Sequence, residues 1–168
     1  MSELWAKRFA AMTFVNTIIA MAWMIFPLFI DQRISRTIAG GSAGTWGYLG
    51  FLLFSIVGVL GFAVFSLFYW MIPKITGGKI RDVFAWAHLV LLEIGVIGSS
   101  ALFGYAGYIG GTTILEGTAK GLTLANATAL VHPKIAFTIE PIGAFIGLAI
   151  IGILAGMVAL FFAYRNKK

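Results

Sequence analysis

Apolar residues gather into four long runs, at residues 9–30, 47–72, 83–109 and 139–164, divided by short stretches in which Gly, Pro and charged side chains concentrate. A helix rises 1.5 Å per residue, so about 20 apolar residues cross a hydrocarbon core of ~30 Å, and every run is long enough. The pattern predicts an all-α integral membrane protein, with residues 1–168 forming a single domain of four transmembrane helices. Composition changes this from a helical reading to a membrane one: with 60% apolar and 11% charged residues and a mean hydropathy of +0.97, a water-soluble globule could not be covered with polar surface. Lys7 and Arg8 ahead of an apolar run containing Ala20-Met21-Ala22 outline a signal peptide, but the expectation is a retained first helix.

Net charge is +6, which invites a nucleic-acid reading until the charges are placed. They sit at the ends of the runs. Lys7, Arg8, Lys74, Lys79, Arg81, Arg165, Lys167 and Lys168 fall on one side, against Arg33, Arg36, Lys120 and Lys134 on the other. Basic residues accumulate on the cytoplasmic side of membrane proteins, so both termini and the connector 73–82 are expected in the cytoplasm, the chain being integral to the plasma or inner membrane. Charge then serves topology, and the expected contacts are the lipid bilayer and other membrane subunits, with no nucleic acid. The chain has no cysteine, which excludes disulfides, cysteine-ligated clusters and thiolate metal sites within it.

Between the runs, residues 31–46 form a polar outer loop ending in the flexible stretch Gly40-Gly41-Ser42-Ala43-Gly44. The third connection, residues 110–138, is the longest. It carries Glu116, Lys120, His132-Pro133 and the glycosylation acceptor pattern Asn126-Ala127-Thr128, and its stretch 122–131 is apolar enough to lie along the interface or pack on a neighbouring subunit. Pro141 is expected in the first turn of the fourth helix, where its missing N–H is harmless, with Glu140 near the positive end of the helix dipole.

Glycine spacing speaks to assembly. Gly143 and Gly147 are four residues apart, as are Gly152 and Gly156, and both pairs allow close helix approach. At ~100° per residue the two pairs point in nearly opposite directions, which suits a helix sandwiched between neighbours. Gly58 and Gly61 in the second helix, and Gly95, Gly98, Gly104 and Gly107 in the third, extend the pattern.

Few residues offer chemistry. A haem or metal proposal must use His88 or His132, the two histidines present. His88 falls about two turns into the third helix and His132 just before the fourth at the other side, so nearly the full ~30 Å separates them and one chain cannot give both axial ligands to one haem. A histidine so near a helix end also suits a hydrogen-bonded interfacial group. Glu93 is the intramembrane ionisable residue, ~16 Å along the third helix from Asp82. It marks a proton or ion path or a buried polar contact. Trp86, Glu93 and Ser100 recur every seven residues on one face, whereas His88 points ~140° away from Glu93, so the two are no natural relay. No phosphate-binding loop, metal-binding helix pair or nucleophile elbow is present. Trp5, Trp46, Trp70 and Tyr164 lie near the predicted boundaries, as an interfacial aromatic belt requires.

One stretch carries a family resemblance. From Phe68-Tyr69-Trp70-Met71-Ile72-Pro73-Lys74 through His88 to Glu93-Ile94-Gly95, residues 68–98 resemble a passage in the catalytic subunit of haem-copper oxidases and the related nitric oxide reductases. There a helix ends in a Tyr-Tyr-x-x-Pro-Lys/Arg-x-x-Gly turn, and the next opens around a non-ligand His followed by Ile-Gly. Pro73, Lys74, Gly77, His88, Ile94 and Gly95 stand where that pattern puts them, and the Gly-containing exit 103–111 is similar too. The fourth helix, from Ile142 onward, is weakly similar to the family's final helix. The family's His-x-His haem ligands would fall at Phe51 and Leu53, where nothing can replace them. The resemblance therefore implies a relative without haem ligation or copper, and oxygen reduction is not carried over.

These readings converge on a non-catalytic accessory subunit of a respiratory membrane complex of terminal-oxidase type. Haem, copper or quinone would belong to partner subunits, none being bound by this chain alone. Two alternatives stay open: an electron-transfer subunit with haem or quinone held by His88 or His132 between subunits, and a small homo-oligomeric proton or solute conductor.

Overall fold

The structure, a computed structural model, describes residues 2–30, 32–39 and 41–165. Asp31, Gly40, Lys167 and Lys168, which enter the loop and charge expectations above, lie outside the described residues. Helix α1 (Ser2–Ile25) runs on into a π-helical turn, Phe26–Ile30, and α2 is Gln32–Ala39. A 3-10 turn (Ser42–Gly44), α3 (Thr45–Leu53), a π-helical segment (Phe54–Gly61) and α4 (Phe62–Thr76) join into one rod. Then follow α5 (Asp82–Ala119), α6 (Leu124–Ala129), α7 (His132–Ile135), a 3-10 turn (Ala136–Thr138) and α8 (Ile139–Arg165). Four stretches, Glu3–Ile30, Ser42–Thr76, Asp82–Ala119 and Leu124–Arg165, are long and apolar enough to cross a membrane. The described residues contain no strand.

Helix α5 is the axis of the bundle, and glycine lets its neighbours reach its backbone. A Cβ on Gly95 would stand 2.5 Å from the amide nitrogen of Ala149 and 2.6 Å from the carbonyl oxygen of Phe145; one on Gly152 would stand 2.6 Å from the amide nitrogen of Leu92. Such approach is the use membranes make of small residues, because dispersion between helices replaces the hydrophobic drive. On another side Gly50 of α3 lies against Ser100, where a Cβ would be 2.7 Å from the carbonyl oxygen. Helix α1 packs on α4, with Ser66 Oγ donating to the Ala6 carbonyl at 2.8 Å. It runs parallel to α5 and is tied to it by side chains: Trp5 Nε1 donates to Asp82 Oδ1 at 2.7 Å, and the Arg8 guanidinium lies 4.5 Å from the Trp86 ring.

The start of α1, the turn after α4 and the end of α8 meet at one end of the bundle. Gly77 closes α4 with φ 69°, a conformation glycine adopts freely, and Thr76 Oγ1 donates to the Ala163 carbonyl at 3.1 Å. At the opposite end the 38 residues of α5, ~57 Å of helix, exceed what a ~30 Å hydrocarbon core would need. The excess is clothed by the chain itself. Thr37 of α2 covers Gly111, Ala43 covers Gly110, and Ala127 of α6 covers Gly117, while Ala43, Ala106, Ile114, Val131 and Ile135 form a second small core.

Several boundaries and environments differ from expectation. The third helix extends to Ala119 and not to residue 109, because its late glycines are packing sites and not a helix exit. Pro73 is buried inside the last turn of α4 and does not begin the connector. The loop expected over residues 31–46 is largely helix α2 plus a packed turn, with Ala43 and Gly44 buried. The apolar stretch 122–131 rests on its own chain through Ala127 and Val131 while leaving Leu122, Leu124 and Leu130 exposed, as the expected interfacial or subunit contact allows. Trp5, expected in an interfacial belt, is 1% exposed and part of the main core.

Candidate functional site

Two buried polar centres occupy the bundle, one ~17 Å along α5 from Asp82 and one ~9 Å along it, nearer the end that holds the termini. The first is built on Asn16, the lone carboxamide of α1, which is fully buried. Its Nδ2 donates to the Gly58 carbonyl at 2.8 Å and to Glu93 Oε2 at 3.0 Å, joining α1, the π-segment and α5 at one point. The π-segment makes this possible. Its i→i+5 winding disturbs the regular ladder, a feature that recurs at functional sites, and Gly58 within it packs so close to α5 that a Cβ would be 3.0 Å from Val96 Cγ1. Glu93 itself is half-buried, so its carboxyl faces both Asn16 and the seam between α1 and α5. Asn16 Oδ1, Ser55 Oγ and Ser100 Oγ are buried without a hydrogen-bond partner among the described residues. Ser99 satisfies its hydroxyl on the Gly95 carbonyl at 2.6 Å.

The second centre is His88. Three helices contribute walls: Phe9 from α1 at 4.7 Å between ring centroids, Phe65 from α4 edge-on at 4.2 Å, Tyr69 from α4, and Gly156 of α8, where any Cβ would fall on the imidazole. His88 Nδ1 lies 3.1 Å from Tyr69 Oη, and Nε2 has no partner among the described residues. This corrects the expectation of an interfacial histidine, since His88 is 0% exposed. Two turns of helix from an end do not bring a side chain to the interface when three neighbouring helices close over it. For an external ligand to reach Nε2, Phe9 or Phe65 must swing away or α8 must part from α5.

The remaining candidates are dispersed. His132 is exposed at the start of α7, at the end of the molecule opposite to His88, and borders a shallow pocket with Trp46 and Val131. Ser100, two turns beyond Glu93 on the same stripe of α5, is fully buried, and the backbone there lies against Gly50 of α3. Gly152 and Gly156 pack within the chain, whereas Gly143 and Gly147 have nothing among the described residues within 4 Å of where a Cβ would be. Asn126 is exposed on α6, whose N-cap is the Thr123 hydroxyl. No group of three or more His, Asp or Glu side chains is placed to hold a metal ion among the described residues.

Asn16 and Tyr69 were not singled out by sequence. Asn16 was findable, as a carboxamide inside an apolar run must find a partner. Tyr69 reads like any aromatic in Phe68-Tyr69-Trp70, and only the packing of α4 against α5 sets it apart. Compared with family models, with curated proteins and with solved structures, the chain finds no significant match in any of the three.

Proposed function

We propose that the chain is a non-catalytic subunit of a larger membrane complex, docked through α8 and contributing no cofactor ligand of its own. The observation that carries this is the division of α8 into two glycine faces: Gly152 and Gly156 are filled by α5, while Gly143 and Gly147 form an open small-residue face. Such a face is suited to a helix of another subunit. A partner complex of terminal-oxidase type is favoured by the resemblance of residues 68–98 alone, with cytoplasmic termini favoured by the basic residues at that end. Gently solubilised complex is expected to carry additional membrane subunits and their pigments with this chain. Gly147→Leu should lower the recovered partner about tenfold, the effect of ~1.4 kcal/mol of lost packing, without altering the melting of the isolated chain. A wild-type chain that purifies alone, or a Gly147→Leu variant that recovers its neighbours in full, overturns the reading.

The Asn16–Glu93 pair favours a second role, proton movement along the α1–α5 seam, alone or within the complex. An ionisable group at this depth is a functional position by default. Glu93→Gln keeps an acceptor for Asn16 while removing the exchangeable carboxyl proton. Proton uptake into vesicles holding the protein, read with an entrapped pH dye, is then expected to fall at least tenfold. Equal uptake by both proteins leaves Glu93 as a structural contact.

A further inference from the structure

Between α1 and α5 an open groove of ≈ 450 Å³ is walled by Ile19, Trp23, Phe26, Pro27, Ala101 and Gly104. At its outer end Tyr108 is shared with a second pocket of ≈ 230 Å³, lined by Arg33, Arg36, Thr112 and Glu116. From Ala101 to Thr112 the two run ~17 Å along α5, about the depth of one leaflet of a ~30 Å core. The apolar part lies beside the spanning helices, and the charged part begins where the apolar run of α1 ends at Ile30 and α2 crosses over. Among the described residues the lining of the head pocket carries two guanidinium groups and one carboxylate, a formal excess of basic charge that suits a single phosphodiester. The grooves on the other side of α1, lined by Met24, Leu28 and Phe51, contain no charged side chain.

We infer that this cleft is a binding site for one phospholipid, its phosphodiester held by Arg33 and Arg36 and one acyl chain laid between α1 and α5. Arginine suits the role because its planar fork pairs two N–H groups with phosphate oxygens. Tyr108 adds a hydroxyl donor at the same level, the Thr112 hydroxyl already donating to the Tyr108 carbonyl at 2.8 Å, and Glu116 is placed to meet the polar tip of the headgroup. Trp23 keeps the groove open from within: a Cβ on Gly104 would stand 2.9 Å from its ring, so the indole is wedged between the two helices and blocks their closure.

The test uses the full chain in detergent, delipidated and then titrated with phosphatidylglycerol while bound lipid is counted by native mass spectrometry. One lipid is expected per chain. Arg36→Gln, on an exposed side chain, and Ala101→Trp, which fills the groove below an intact head pocket, should each weaken binding about tenfold with unchanged melting. Diacylglycerol, which has the tails without the phosphate, and inorganic phosphate, which has the charge without the tails, should both fail to compete. Affinity in Arg36→Gln within twofold of the unaltered chain overturns the proposal. Competition by diacylglycerol, or by phosphate alone, equal to that of phosphatidylglycerol overturns it as well, the first pointing to an unspecific apolar groove and the second to a simple anion site.

Discussion

Gly95→Leu is expected to keep α8 from closing on α5 and to leave almost no folded protein after detergent extraction. The Cβ alone would lie 2.5 Å from the Ala149 amide nitrogen and 2.6 Å from the Phe145 carbonyl, both backbone atoms that cannot rotate aside. Relief requires the helices to separate, and because the contact repeats at Gly152 and Gly156, separation forfeits the whole seam. Overpacking a well-fitted core costs about 1–3 kcal/mol, and a backbone-to-backbone collision belongs at or above the top of that range. That is a large share of the ~5–15 kcal/mol of a typical domain. Gly147→Leu is the control, on the same helix but in open space, and should melt within ~0.5 kcal/mol of the unaltered protein. Fluorescence-detected size exclusion across a temperature ramp compares the two. A Gly95→Leu protein that elutes and melts like the control means the two helices do not meet as described.

The helices were legible because their cause is local. Length and apolarity set the spans at residues 9–30, 47–72, 83–109 and 139–164, and each of these ranges lies within one of the helical stretches found. What was not legible depends on contacts across the fold. Gly110 and Gly111 fell past the predicted end of the third helix, since glycine weakens an exposed one; here Ala43 and Thr37 cover them, as Trp23 and Gly47 cover Gly104 and Gly107, and the helix runs on to Ala119. Helix α2 is short and polar, and its position depends on Thr37 meeting Gly111. Glu93 stood out as an ionisable residue in an apolar run, but its partner Asn16 lies 77 residues away and is reached only through the π-segment that the sequence does not announce. Opposed glycine pairs on α8 could be read from angular spacing, yet which pair is used inside the chain could not, because that depends on which face of α5 also lacks side chains. The same limit applied to His88, whose place near a helix end says nothing of the three helices around it.

His88→Ala is expected to destabilise the bundle by about 3 kcal/mol or more, with Tyr69 revealing why. Removing the imidazole leaves a cavity between Phe9, Phe65, Tyr69 and Gly156, and large-to-small changes at such sites cost about 2–5 kcal/mol. It also strips the buried Tyr69 hydroxyl of its partner, a further ~1–3 kcal/mol where no water replaces it. Tyr69→Phe alone should cost about 1–3 kcal/mol, because it leaves His88 with both ring nitrogens unpaired in an apolar shell. Tyr69→Phe combined with His88→Leu removes both polar partners while keeping most of the volume. That double variant should therefore be less damaged than the sum of its two single changes, by ~1 kcal/mol or more, as expected for residues that share one interaction. Urea or thermal melts of the unaltered chain, Tyr69→Phe, His88→Leu and the double variant in one detergent complete the cycle. Strict additivity would mean that the Tyr69–His88 contact is not formed, and a pigment carried by the complex that disappears in His88→Leu while the bundle still melts as a unit would assign the imidazole a ligand role in place of this structural one.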